Sequence, residues 1–142
     1  MRPLIVPTDR GLTPEELAAA LRHERGLMVL RSRFFDSPQA RYSLVVANPF
    51  LVFRSFGSRC ELHRREGVQT QFGNPWRLLD SLMSRYELLD ELDFPLPLGG
   101  CFGYWGYELK NFVEPKLGRR AVNDLELPEC HVGFYDSLVV FD

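Results

Sequence analysis

The residues in this sequence that could meet a small molecule are few, and most of them fall close together. Ser32 closes an apolar run, Leu27 to Ser32, in which Met28, Leu30 and Ser32 share one side of an extended chain. Arg41, Tyr42 and Ser43 open the next apolar run, which reaches Ala47. If the two runs pair as strands, a hydroxyl, an aromatic ring and a guanidinium gather at one end of a sheet. Apolar walls with a few polar anchors suit a small aromatic zwitterion. A strand end that is simply exposed to solvent is the competing reading.

Other patterns lead to chemistry less well. Gly99, Gly100, Gly103 and Gly106 lie in a glycine-rich stretch, but they do not give the G-x-G-x-x-G spacing of a phosphate cradle, and no Lys-Ser or Lys-Thr follows. As a strand, the stretch puts Gly99, Cys101 and Gly103 on one nearly bare face, which lets another backbone or helix approach closely. His23, His63 and His131 have no ligand spacing between them. Cys130 and His131 are adjacent in a strand and point to opposite faces, so a zinc site is not expected. There is no G-x-S-x-G nucleophile elbow. The carboxylate pairs Glu15–Glu16 and Asp90–Glu91 sit in polar surroundings and read as solvated faces. No self-sufficient catalytic constellation is present.

The elements that must position these residues are legible from turn and cap signals. Leu4 to Val6 is a candidate first strand. Thr13 is an N-cap, Pro14 takes the first helical position and Glu16 completes a capping box. Leu17, Ala20 and Leu21 form the apolar stripe of this helix, and Gly26 stops it. Strands are expected at Leu27 to Ser32, Arg41 to Ala47, Phe50 to Phe56, Cys60 to Arg65 and Val68 to Phe72, with turns at Asn48-Pro49, Gly57-Ser58 and Glu66-Gly67. Asn74 caps a second helix with Pro75 at its start, and Trp76, Leu79, Leu82, Met83 and Tyr86 recur at helical spacing. Asp93 to Pro97 reads as an extended linker. The glycine-rich strand then enters a short helix, Tyr107 to Val113. Arg119 to Leu127 reads as loop. Strands at about Glu129 to Tyr135 and Ser137 to Asp142 close the chain. Local strand pairing with a few packed helices predicts an α+β fold on a largely antiparallel sheet.

Composition bounds the function classes. The 142 residues are the size of one ordinary domain, and 45% hydrophobic with 25% charged residues predicts a packed core. A net charge of −2, with acids and bases mixed, leaves no electrostatic footprint for nucleic acid or an anionic membrane. No apolar run approaches the ~20 residues of a membrane helix, and Met1 to Pro7 lacks the pattern of a secretory signal. Three widely spaced cysteines, Cys60, Cys101 and Cys130, suggest reduced thiols in a cytoplasmic protein.

Two segments bring a family into view. Leu27-Met28-Val29-Leu30-Arg31-Ser32, followed by Arg41 to Pro49, resembles the amino-terminal domain of the anthranilate synthase and aminodeoxychorismate synthase component I family. Pro97 to Leu109, Glu114, Leu127-Pro128 and Gly133 to Asp136 are similar to that family's succession of motifs in order and spacing. The resemblance covers the chain from about Leu27 onward. It implies the aminodeoxychorismate synthase-like fold and a tryptophan or related aromatic amino acid held at Leu30, Ser32, Arg41, Tyr42 and Ser43. It also implies a parent enzyme that aminates chorismate with magnesium and a glutamine amidotransferase subunit. That enzyme's catalytic and magnesium-binding residues lie in a longer carboxy-terminal part, so residues 1–142 are expected to be a non-catalytic, cofactor-free piece of a longer subunit. Where anthranilate synthases have Leu-Leu-Glu-Ser, this chain has Val29-Leu30-Arg31-Ser32. The lost carboxylate implies aminodeoxychorismate synthase, and hence folate biosynthesis, over anthranilate synthase. A free-standing aromatic amino-acid module and a ligand-free structural domain are the other readings.

Overall fold

The computed structural model describes residues 3–8, 11–32, 41–87, 94–117 and 122–142. The fold is α+β with antiparallel pairing, and the chain divides into two compact units. The first comprises Met1–Pro49, Asp90–Gly100 and Tyr135–Asp142, and the second Phe50–Leu89 and Cys101–Phe134.

In the first unit, helix α1 spans Pro14–Ala20. Its amino terminus is closed reciprocally: the Glu16 amide donates to Thr13 Oγ1 at 3.2 Å, and the Thr13 amide donates to Glu16 Oε2 at 2.8 Å. The helix ends well before Gly26. Amides of Arg22 and Glu24 bond carbonyls three residues back, at Ala19 and Leu21, which tightens the chain out of α-helical pitch. Gly26 still provides the stop to the whole turn, at φ +63°. A side chain there would meet Pro49 Cδ at 2.7 Å and the Tyr135 hydroxyl at 3.1 Å, so Gly26 is required by its conformation and by the space around it.

Strands β1 (Met28–Leu30), β2 (Ser43–Val46) and β8 (Val139–Phe141) form a three-stranded antiparallel sheet in the order β1-β2-β8. The central strand is the buried one. Val45 and Val46 are nearly inaccessible, and Val45 pairs with Val29 on one side and Val139 on the other. The expected strand at Leu4 to Val6 is absent: these residues are exposed and unassigned to any strand. Pro3 and Pro7 flank them, and a proline has no amide to give a ladder.

The second unit is built on a five-stranded antiparallel sheet in the order β5-β4-β3-β7-β6. These strands are β3 (Leu51–Phe56), β4 (Arg59–Arg64), β5 (Gly67–Phe72), β6 (Gly100–Trp105) and β7 (Cys130–Tyr135). Two-residue turns join β3 to β4 and β4 to β5. The second turn falls at Arg65-Glu66, one residue earlier than expected, because Gly67 already pairs with Arg64. Alternation along β3 is strict, with Leu51, Phe53 and Ser55 inward. Cys60 and Leu62 of β4 and Cys130, Val132 and Phe134 of β7 join them in the core.

Helix α2 (Pro75–Arg85) covers this core with Leu79 and Leu82. Asn74 caps it by accepting from the Trp76 amide at 3.0 Å. The rest of the expected stripe is marginal: Trp76, Met83 and Tyr86 are each more than a third exposed. Trp76 is nonetheless anchored, since its Nε1 donates to the Leu109 carbonyl at 3.2 Å. After β6, a 3-10 helix at Tyr107–Phe112 buries Leu109 in the same core. Residues 122–127 are loop and Phe94 to Pro97 carry neither helix nor strand; Asp93 and the start of the Arg119 loop lie outside the described residues.

The glycine-rich strand is shaped by its neighbour. Gly99, Gly100 and Gly103 all lie near φ +155°, a region that side chains rarely enter. A Cβ on Gly103 would fall 2.1 Å from the His131 carbonyl oxygen, and one on Gly106 would fall 2.8 Å from that of Glu129. The close approach expected from the sequence is therefore made by backbone in the plane of the sheet.

Candidate functional site

β1 and β2 pair antiparallel with Leu30 opposite Leu44, and this brings Ser32 to the Arg41–Ser43 segment. The contact is direct. Ser32 Oγ donates to the Tyr42 carbonyl oxygen, and the Ser32 amide donates to Ser43 Oγ at 3.4 Å. Both hydroxyls thus lock the open end of the β1–β2 ladder, where regular main-chain pairing has stopped. Leu30 is 44% exposed and offers an apolar surface beside them.

Arg41 is turned to another partner. Its Nε and Nη2 both donate to the Asp142 carboxylate, a two-point match of guanidinium and carboxylate. The same guanidinium lies 5.0 Å from the centre of the Tyr42 ring. Hydrogen bonding to Arg41 holds the Asp142 carboxyl below its ordinary range, and hydrogen bonding to Asp142 raises Arg41. Arg31 pairs with Glu15 in the first turn of α1. Glu15 was expected to be a solvated face; it is exposed, yet it is the countercharge of Arg31. Glu16 is spent on the cap. Asp90 and Glu91 lie outside the described residues.

The structure thus brings Leu30, Ser32, Arg41, Tyr42 and Ser43 to one end of one sheet. Sequence reasoning missed the two acids, Glu15 and Asp142. Asp142 is brought there by tertiary register: β8 pairs with β2 at Ser43–Phe141, which carries Asp142 to the Arg41 end of β2. Nothing local marked Glu15.

Other chemistry is weaker. Burial pushes the thiols of Cys60 and Cys101 up to about 11 and that of Cys130 to about 12, with the other two thiols adding to Cys130. All three are free and protonated at neutral pH, so none is a ready nucleophile. Burial, with Arg54 and His63 near, holds the His131 imidazole below its ordinary value. A cleft of about 400 Å³ opens between the Gly57-Ser58 turn and Phe112, with Glu129 in its lining. It carries no paired acid and base. Among the described residues no group of three or more His, Cys, Asp or Glu could hold a metal. No helix of the described residues is long and apolar enough to cross a membrane.

The chain is 36% identical over 131 residues to "Anthranilate synthase component 1" of Acetivibrio thermocellus, covering 92% of this chain and 26% of that protein. It is 31% identical over 123 residues to "Aminodeoxychorismate synthase component 1" of Escherichia coli, covering 86% of this chain and 27% of that protein. It is 33% identical over 116 residues to the protein of the same name from Klebsiella aerogenes, covering 81% and 26%. The chain belongs to the anthranilate synthase and aminodeoxychorismate synthase component 1 family. No protein-family model matches it. It spans about a quarter of the length of the curated relatives it matches. The family resemblance read from the Leu27–Ser32 and Pro97–Asp136 motifs is therefore sound, and the two names divide the relatives without choosing between them.

Proposed function

We infer that residues 1–142 are the non-catalytic amino-terminal scaffold and effector-pocket part of aminodeoxychorismate synthase component I, a cytoplasmic enzyme of folate biosynthesis. The observation that carries the choice within the family is Arg31. Arg31 precedes Ser32 in the sequence where the family's Leu-Leu-Glu-Ser has a carboxylate able to hold the ammonium of a bound amino acid; strand alternation turns its side chain from the Ser32 face, and it pairs with Glu15. Like charge weakens the hold on an ammonium, and charge-assisted hydrogen bonds are the strong ones. Chorismate and magnesium would be bound by a longer carboxy-terminal part, and a glutamine amidotransferase would supply ammonia. Leu30, Ser32, Tyr42 and Ser43 would contribute apolar surface and hydroxyls to a tightly buried aromatic amino acid such as tryptophan, one that added tryptophan does not act through, with Arg41 set against Tyr42.

The anthranilate synthase reading is favoured by one observation, the 36% identity to the Acetivibrio thermocellus protein. The product of the whole subunit with chorismate, magnesium and ammonium decides between them. Aminodeoxychorismate, insensitive to added tryptophan, is the expected result. Anthranilate as the main product, with inhibition by tryptophan, overturns the assignment. A free-standing sensor would instead show tryptophan binding by calorimetry to a gene product that ends at Asp142.

A further inference from the structure

β5 is the outermost strand of the five-stranded sheet, and among the described residues nothing is hydrogen-bonded to its outer side. The Gly73 amide donates inward to the Ser58 carbonyl at 2.9 Å. Amides in an antiparallel strand alternate in direction, so those of Gln71 and Gln69 also face β4. The amides and carbonyls of Val68, Thr70 and Phe72 therefore face out. Natural edge strands are usually guarded by a charge, a proline or a bulge. From Gly67 to Phe72 the sequence is Gly-Val-Gln-Thr-Gln-Phe, with no charge and no proline.

The faces of this strand are also reversed. Gln69 and Gln71 stand opposite the buried Leu62 and Cys60 and so share the core side. Val68 and Phe72 lie on the other face, 59% and 75% exposed. Among the described residues, these apolar side chains on an unguarded edge are left more than half exposed. Their arrangement has a symmetry of its own: Val-Gln-Thr-Gln-Phe reads apolar, amide, hydroxyl, amide, apolar from either end.

We propose that β5 is a self-recognition edge, through which two copies of this chain join antiparallel about a two-fold axis at Thr70. In that register Val68 faces Phe72 of the second copy, Gln69 faces Gln71, and Thr70 faces Thr70. Each outward residue then meets another outward residue, so both its amide and its carbonyl find partners. Isologous contacts of this kind require a self-complementary patch, which a palindromic strand supplies. A foreign strand would have no need of the palindrome. Charge does not oppose the contact. Glu61 is opposite Thr70 within the sheet, so the two copies of Glu61 are separated by three strand spacings, ~14 Å, beyond the ~8 Å Debye length at physiological salt.

Sedimentation velocity of the full chain over a concentration series tests this. A reversible monomer–dimer equilibrium is expected. Thr70→Lys places like charges across the axis and should raise the dissociation constant by on the order of tenfold or more. Thr70→Pro removes an outward amide while leaving the ladder to β4 intact, and should abolish the dimer with unchanged circular dichroism. Thr70→Cys should form a disulfide-linked dimer on mild oxidation that the unsubstituted chain does not form. A chain that stays monomeric at the highest concentration overturns the proposal. So does a dimer unaffected by Thr70→Lys, a Thr70→Cys chain that does not cross-link, or open-ended association in place of a dimer. Should Thr70→Pro fail to fold, Thr70→Lys and Thr70→Cys decide.

Discussion

The hydroxyl of Tyr135 donates a hydrogen bond to the Gly26 carbonyl oxygen across 2.6 Å, joining residues far apart in the chain. Tyr135 is 2% exposed, while Gly26 lies in an exposed turn, so the bond ties that turn to a buried ring. Tyr135→Phe keeps the ring and removes the donor. It should destabilise the chain by about 1–2 kcal/mol, read as a lower urea midpoint with an unchanged slope. A midpoint equal to that of the unsubstituted chain would contradict a role for this bond.

Gly103 and Gly67 separate clash from strain. Both have positive φ, at +154° and +145°. Only Gly103 is crowded, with the His131 oxygen 2.1 Å from where a Cβ would sit, whereas Gly67 faces open space. Gly67→Ala should therefore cost about 1–2 kcal/mol of backbone strain, and Gly103→Ala about 3–5 kcal/mol, because β7 backbone must also move. Thermal melts of the two variants check the order, and equal losses would show that the contact with β7 is unimportant.

The three thiols set an alkaline limit. Their folded values of about 11 to 12 stand above the ordinary 9. Their contribution is fully present below pH 9. It is lost as pH rises towards the folded values, because the unfolded chain releases these protons first. Stability should fall steadily from about pH 9 upward. Labelling by a thiol reagent at pH 7.5 should require unfolding for Cys60 and Cys130. Fast labelling of both in the folded chain would refute their burial.

Residues 1–142 alone should not convert chorismate, with or without magnesium. A metal-assisted reaction needs positioned carboxylates, and the described residues hold no cluster that could bind the ion. Turnover by the purified chain, abolished by a substitution within it, would reverse this expectation.

Much of the fold was legible because its signals are local. Thr13, Pro14 and Glu16 announce a capping box, and Asn74-Pro75 announces α2. Alternation along Leu51–Phe56 marks β3 and its core face. The failures are where context overrides pattern. Leu4 to Val6 are apolar but pair with no strand among the described residues. The Ser32–Tyr42 juxtaposition was legible because adjacent strands usually pair. Arg41–Asp142 and Arg31–Glu15 were not, since an ion pair between distant segments depends on tertiary register.

The three-stranded sheet has a consequence for the order in which the protein is made. Its central strand pairs Val45 on one side with Val29, nearby in sequence, and on the other with Val139, far along the chain. A ribosome adding ~5–20 residues per second reaches Val139 on the order of ten seconds after Val45. During that interval the β1–β2 hairpin has an open flank, while β3, β4, β5 and α2 emerge as one contiguous stretch able to assemble beforehand. The sheet that carries Ser32 and Arg41 is thus completed only after that delay, and the Arg41–Asp142 pair must wait for it.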